Sequence, residues 1–262
     1  MTTRGTRPLV MGNWKMNLDF VEALHLVQEI GVVLHHQPLE HTDLVVAPPF
    51  VDLRTVCSVV ESEQIPVGVA AQHVSQFESG AHTGEVSASM LRRLGVTWAI
   101  VGHSERRTHY AMSDEVVAAT LATVQRAGMN AVLCVGEDEE RRRGGEHRSF
   151  VGAQLVSALT GLSPAARSAV TVAYEPLWAI GTGVSASTEE IAEMGAFVRT
   201  TLDDLGATGS RILYGGSVNE ENAGEIADVR PVDGFLVGGA SLRATSFLAI
   251  GRACDDCYAG KR

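Results

Sequence analysis

The sequence predicts an α/β protein, a closed (β/α)8 barrel built as one domain over residues 1–262. Three observations carry this expectation. Eight short apolar runs recur along the chain. Each is apolar nearly throughout rather than alternating, as parallel strands covered on both faces require. Their starts lie about 23 to 42 residues apart, the length of a strand plus a helix, and eight such units fill a barrel of this size.

The first run is PLVMG from Pro8, followed by a helical spacing of Val21, Leu24, Val27 and Ile30. DLVVA from Asp43, VGVAA from Val67 and TWAIVG from Thr97 give strands two to four. A second helical series, Val116, Ala119, Leu121 and Val124, leads into NAVLCVG from Asn130. AVTVAY from Ala169 is the sixth strand, and Ile191, Met194, Phe197 and Val198 then mark a helix. RILYGG from Arg211 and GFLVGG from Gly234 complete the eight. Residues 1–7 are expected to be a short flexible start and 253–262 a frayed tail. An open doubly wound sheet is the alternative, since the glycines at 214–216 and 238–239 also suit it; no GxGxxG follows the first strand, which counts against it.

Composition narrows the function. With 45% hydrophobic and 20% charged residues the chain can bury a large core. Its net charge of -10 opposes binding to nucleic acid or an anionic membrane, so an anionic substrate needs a local basic focus. No apolar leader is visible near the start, and the four cysteines suit a reduced, cytoplasmic protein. Cys254 and Cys257 form a CxxC without a second ligand pair, and the segment HHQPLEH at 35–41 reads as a solvated loop. The charged run EDEERRRGGEHR at 137–148 reads as a solvated loop and helix start. No metal-ligand spacing is present, and no cofactor is expected.

In a parallel barrel the chemistry gathers at the C-terminal strand ends. Strand one ends in Asn13-Trp14-Lys15, strand four in His103-Ser104-Glu105, strand six in Glu175-Pro176, and strands seven and eight in Gly215-Gly216-Ser217 and Gly238-Gly239. Paired glycines let backbone N–H groups approach an anion, and turns seven and eight are where such barrels hold phosphate. Lys15 would supply the positive focus. His103 and Glu175 are suited to moving protons on a small substrate.

Six ordered motifs sharpen this: GNWKMN at 12–17, VGHSERR at 101–107, CVGE at 134–137, AYEPLWAIGTG at 173–183, YGGSV at 214–218 and VDGFLVGGASL at 232–242. Over about residues 8 to 250 the chain closely resembles the triosephosphate isomerase family. The resemblance implies that Glu175 is the general base, His103 the neutral electrophile, and Lys15 with Asn13 the phosphate-holding and positioning pair, with Glu105 behind Lys15. It implies phosphate contacts from the backbone of Gly181, Ser217, Gly238 and Gly239. It also implies a lid from Pro176 to Ala186, with Pro176, Leu177 and Trp178 as the first hinge, Thr182 and Gly183 in the closing loop, and docking on Tyr214 and Ser217. Cys134 would pack behind Glu175. The segment 72–85, with Thr83 at its tip, would enter a partner subunit of a homodimer; His73 stands there where the family more often has Asn or Asp. Leu177 in the hinge and the arginines at 141–143 look peripheral. Two other readings stay open: the same chemistry on a four-carbon ketose phosphate, and a non-catalytic barrel that binds phosphate metabolites.

Overall fold

The chain closes into a barrel of eight parallel strands in sequence order, β1 Leu9–Asn13, β2 Asp43–Ala47, β3 Gly68–Ala71, β4 Trp98–Val101, β5 Asn130–Val135, β6 Thr171–Tyr174, β7 Ile212–Tyr214 and β8 Gly234–Val237. A computed structural model describes residues 7–180 and 185–260. Each strand falls within two residues of the apolar run that predicts it. Closure comes where β1 pairs β8, with Leu9 opposite Gly234. Gly234 has φ +138, and a Cβ there would stand 1.9 Å from the Leu9 carbonyl oxygen, so only glycine lets this seam close.

The two faces of each strand enter two separate cores. One face points into the barrel: Leu9 and Met11, Val45 and Ala47, Ala70, Ile100, Val132 and Cys134, Ala173, Leu213 and Leu236 fill its interior. Burying each of the larger side chains there contributes about 1.5–3 kcal/mol. The other face, with Val10, Val46, Val101, Leu133, Val172 and Val237, packs against the surrounding helices. Because side chains alternate along a strand, the interior series runs on at the C-terminal ends into Asn13, Gly136, Glu175, Gly215 and Gly238. Polar and small residues thus cap an apolar stack, and a cavity opens above it.

Helix Phe20–His36 starts with a full capping box of Asp19 and Glu22, and helix Thr188–Asp204 with one of Ser187 and Glu190. In the first helix the inward stripe is Ala23, Leu26, Val27, Ile30 and Leu34; of the expected series Val27 and Ile30 lie in it, Leu24 is half-buried, and Val21 is exposed. His35 and His36 lie in its last turn rather than in the loop. The expected tail at 253–262 is, through Ala259, the end of helix Ala244–Ala259. Phe247, Ile250, Cys254 and Tyr258 continue one buried face, which holds the helix against the barrel. Among the described residues, no helix is long and apolar enough to cross a membrane.

Candidate active site

A cavity of about 410 Å³ opens at the C-terminal mouth, lined by Asn13, Lys15, His103, Glu175, Ser217, Gly238 and Gly239 among others. The strand ends therefore bring together every predicted site residue of the mouth that the structure describes. Gly181, Thr182 and Gly183 lie outside the described residues.

Glu175 is 1% exposed and is the first residue after β6. Its Oε2 accepts the Ser104 N–H at 2.9 Å, and its own N–H donates to the Val135 carbonyl at 2.8 Å. Oε1 stands 3.0 Å from His103 Nε2, without the alignment of a hydrogen bond, and is otherwise unsatisfied. A buried oxygen of this kind is costly unless a ligand meets it. Two glycines make room for the residue: a Cβ at Gly136 would stand 1.8 Å from the Glu175 carbonyl oxygen, and one at Gly215 would stand 3.0 Å from its Cγ.

His103 caps helix Ser104–His109, with Nδ1 accepting the Glu105 N–H at 3.2 Å. That acceptor geometry leaves the ring's proton on Nε2, facing Glu175 and the cavity. Lys15 reaches the same mouth from β1 and donates to Glu105 Oε1 at 2.6 Å. Its backbone is held at φ +54, a conformation costly for a side chain of this kind. The Asn13 side chain accepts the Lys15 N–H at 3.0 Å, and Gln72 donates to the carbonyls of both Lys15 and Ala47. Burial pushes the Glu105 carboxyl up, but the hydrogen bond and charge of Lys15 outweigh this with the neighbouring imidazoles, so it titrates below the usual range. Cys134 is fully buried in the barrel interior below Glu175, and burial, with the Glu175 charge, raises its thiol well above the usual value.

Both ends of the segment expected to form a lid are tied down. Leu177–Ala179 form one 3-10 turn, and the Ser217 hydroxyl donates to the Ala179 carbonyl at 2.7 Å. At the far end, the Ala186 N–H donates to the Tyr214 hydroxyl at 3.3 Å.

Glu137, which the charge run placed in a solvated loop, is instead fully buried. Its Oε1 accepts from the Tyr174 hydroxyl and from Trp178 Nε1, both at 3.0 Å, and its carbonyl accepts the Leu177 N–H. Burial drives its carboxyl above the usual range against those two hydrogen bonds. Arg142 is not peripheral either: its guanidinium lies over the Trp178 ring at 5.8 Å and pairs with Glu193 at 3.1 Å. The run does hold short-range surface pairs, Arg141 with Asp138 and Arg143 with Glu139. One signal for Glu137 was present in the sequence: only Gly136 separates it from the apolar run that forms β5.

Thr83 is exposed in the long segment between β3 and helix Ala88–Arg93, where Phe77 stacks on His82 with ring centroids 3.8 Å apart. His73, at the base of this segment, has a side chain only 13% exposed and an unsatisfied Nδ1.

A parallel eight-stranded barrel that sets a carboxylate, an imidazole and an ammonium around one mouth belongs to the class of (β/α)8-barrel enzymes working by acid–base chemistry. The model of one family, triosephosphate isomerase, matches residues 8–254. Proteins named triosephosphate isomerase from Rhodococcus jostii and Corynebacterium efficiens are 46% and 45% identical to the chain. The alignments cover 93% and 94% of this chain, and 95% and 96% of those proteins. Another of that name, from Saccharopolyspora erythraea, is 46% identical over 92% of this chain and 94% of its own length. The chain belongs to the triosephosphate isomerase family.

Proposed function

We propose that this chain is an aldose–ketose isomerase that interconverts dihydroxyacetone phosphate and D-glyceraldehyde 3-phosphate, moving a proton through an enediolate. Family membership supports the reading. The observation that carries it is the facing of His103 Nε2 and Glu175 Oε1 at 3.0 Å in a cavity that Lys15 also lines.

Glu175 Oε1 takes the proton from the carbon beside the carbonyl and returns it to the neighbouring carbon. His103 donates from Nε2 to the carbonyl oxygen and shuttles protons between the two oxygens of the enediolate. The Lys15 ammonium offsets the developing charge and holds the phosphate, Asn13 positions the substrate, and Glu105 restrains Lys15. Backbone N–H groups of Gly181, Ser217, Gly238 and Gly239 meet the phosphate oxygens, and Cys134 backs Glu175. Residues 176–186 close as a lid, with Pro176, Leu177 and Trp178 as the first hinge, Thr182 and Gly183 in the loop, and Ala186 at the second hinge. Closure excludes water from an enediolate that would otherwise expel its phosphate. The working unit is a homodimer in which the segment around Thr83 enters the partner's site. The enzyme serves glycolysis and gluconeogenesis in a reducing cytoplasm.

Steady-state turnover of the triose phosphate against a four-carbon ketose phosphate tests the substrate; faster use of the longer sugar would overturn the assignment. Glu175→Asp withdraws the carboxylate by one methylene and is expected to lower kcat at least about a hundredfold while phosphate affinity holds. Unchanged turnover in that variant would remove Glu175 from its role as base.

A further inference from the structure

Asn222 caps helix Ala223–Asp228 by position, yet its side chain makes no capping hydrogen bond to that helix. Asparagine is among the best capping residues, and forgoing the cap costs stability. The side chain turns the other way. Its Nδ2 donates to the Ser185 hydroxyl at 3.0 Å and to the Ser217 carbonyl at 3.1 Å. The Ser185 hydroxyl in turn donates to that same carbonyl at 2.8 Å, which closes a triangle of three hydrogen bonds. Asn222 Oδ1 accepts the Asn219 N–H at 2.9 Å, which fixes the orientation of the amide. Both Nδ2 hydrogens and the Ser185 proton are used.

The triangle joins two segments more than thirty residues apart in sequence. Ser185 lies one residue before Ala186, and Ser217 lines the cavity. From this we infer that Asn222 is a positioning residue that locks the second end of the lid to the turn carrying Ser217, so that both meet the phosphate as one unit. The inference rests on the proposed isomerase reading. Asn222 acts through Ser185 and Ser217. Asparagine is the residue the position needs, because aspartate of the same shape has no N–H to donate and would set a carboxylate against the Ser217 carbonyl.

The test measures isomerisation and the inorganic phosphate lost from the enediolate in the same reaction, for the unaltered enzyme, Asn222→Ala, Asn222→Asp and Ser185→Ala. Turnover by the unaltered enzyme checks the isomerase reading by itself. If that holds, Asn222→Ala is expected to lower kcat/KM about tenfold and to raise the phosphate released per isomerisation by a similar factor, with Asn222→Asp worse than alanine. The double variant Ser185→Ala with Asn222→Ala should be no worse than Asn222→Ala alone, because both remove one triangle. A merely structural role would lower the unfolding midpoint and leave the ratio of lost phosphate to product unchanged. That result, or losses that add independently in the double variant, would overturn the inference. Should Asn222→Ala not fold, Ser185→Ala carries the same comparison of ratios.

Discussion

Gly136 touches no substrate, yet its replacement should disable the site. Its φ is not positive, so alanine is allowed by the backbone and the effect is steric alone. A Cβ at 136 would stand 1.8 Å from the Glu175 carbonyl oxygen and 2.6 Å from its carbonyl carbon, where ordinary contact begins at 3.4 Å, so the two backbones must part by about 1.6 Å. Neither is free to do so. Glu175 donates its N–H to Val135, immediately before Gly136, and Gly136 donates its own to Gln154 at 2.9 Å. The strain falls on the residue that carries the base, and a misplacement of about 1 Å at such a group costs roughly a hundredfold in rate. Gly136→Ala is therefore expected to lower kcat about a hundredfold or more and stability by about 1–3 kcal/mol. Affinity for inorganic phosphate, held across the mouth, should change less than about threefold. Steady-state kinetics and phosphate titration on folded protein check this. A folded Gly136→Ala protein with kcat within about threefold of the original would refute the claim that Glu175 must be placed to this tolerance.

Three further outcomes follow from particular contacts. Gly234→Ala puts a Cβ 1.9 Å from the Leu9 carbonyl oxygen at φ +138, on the β1–β8 seam. It should cost more than about 3 kcal/mol and lower Tm by roughly 10 °C; an unchanged melting curve would contradict the seam's rigidity. Trp178→Phe removes one of the two side-chain donors to the fully buried Glu137, which should cost about 1–2 kcal/mol in thermal unfolding, whereas no loss would mean that Tyr174 alone satisfies the carboxylate. For His73, burial first, then the Arg106 charge, against Glu85, lowers the imidazole to about 4. Its folded value lies below the unfolded one of about 6.5, so the stability it contributes is full above pH 6.5 and is lost as pH falls towards 4, up to about 3 kcal/mol. His73→Asn should flatten that limb in urea unfolding measured against pH; parallel curves would place the titration elsewhere.

The barrel was legible because its strands are continuous apolar runs bounded by chemistry, a pattern that survives without neighbours. The mouth was legible for a related reason. Asn13, Glu175 and Gly238 occupy the next interior position beyond Met11, Ala173 and Leu236, so strand alternation alone aims them into the cavity. What failed did so where tertiary partners decide. Glu137 heads a charged run, and only the Tyr174 hydroxyl and the Trp178 indole make its burial possible. Arg142 resembles its neighbours in sequence, while Glu193 and the Trp178 ring, more than thirty residues away, set it apart. The last helix carried a readable spacing in Phe247, Ile250, Cys254 and Tyr258, which the nearness of the chain end obscured. Asn222 gave no local sign, since its partners are Ser185 and Ser217 rather than its own helix.

The central claim is that Glu175 moves a proton between adjacent carbons. Isomerisation of dihydroxyacetone phosphate in deuterated water, followed by NMR of the product, reads that step directly. The proton that Glu175 removes exchanges with solvent on the carboxyl before it is delivered, so deuterium is expected on the carbon beside the new aldehyde, and none above background when Glu175→Ala replaces the unaltered enzyme. Product formed without deuterium, or equal labelling by the Glu175→Ala variant, would contradict it.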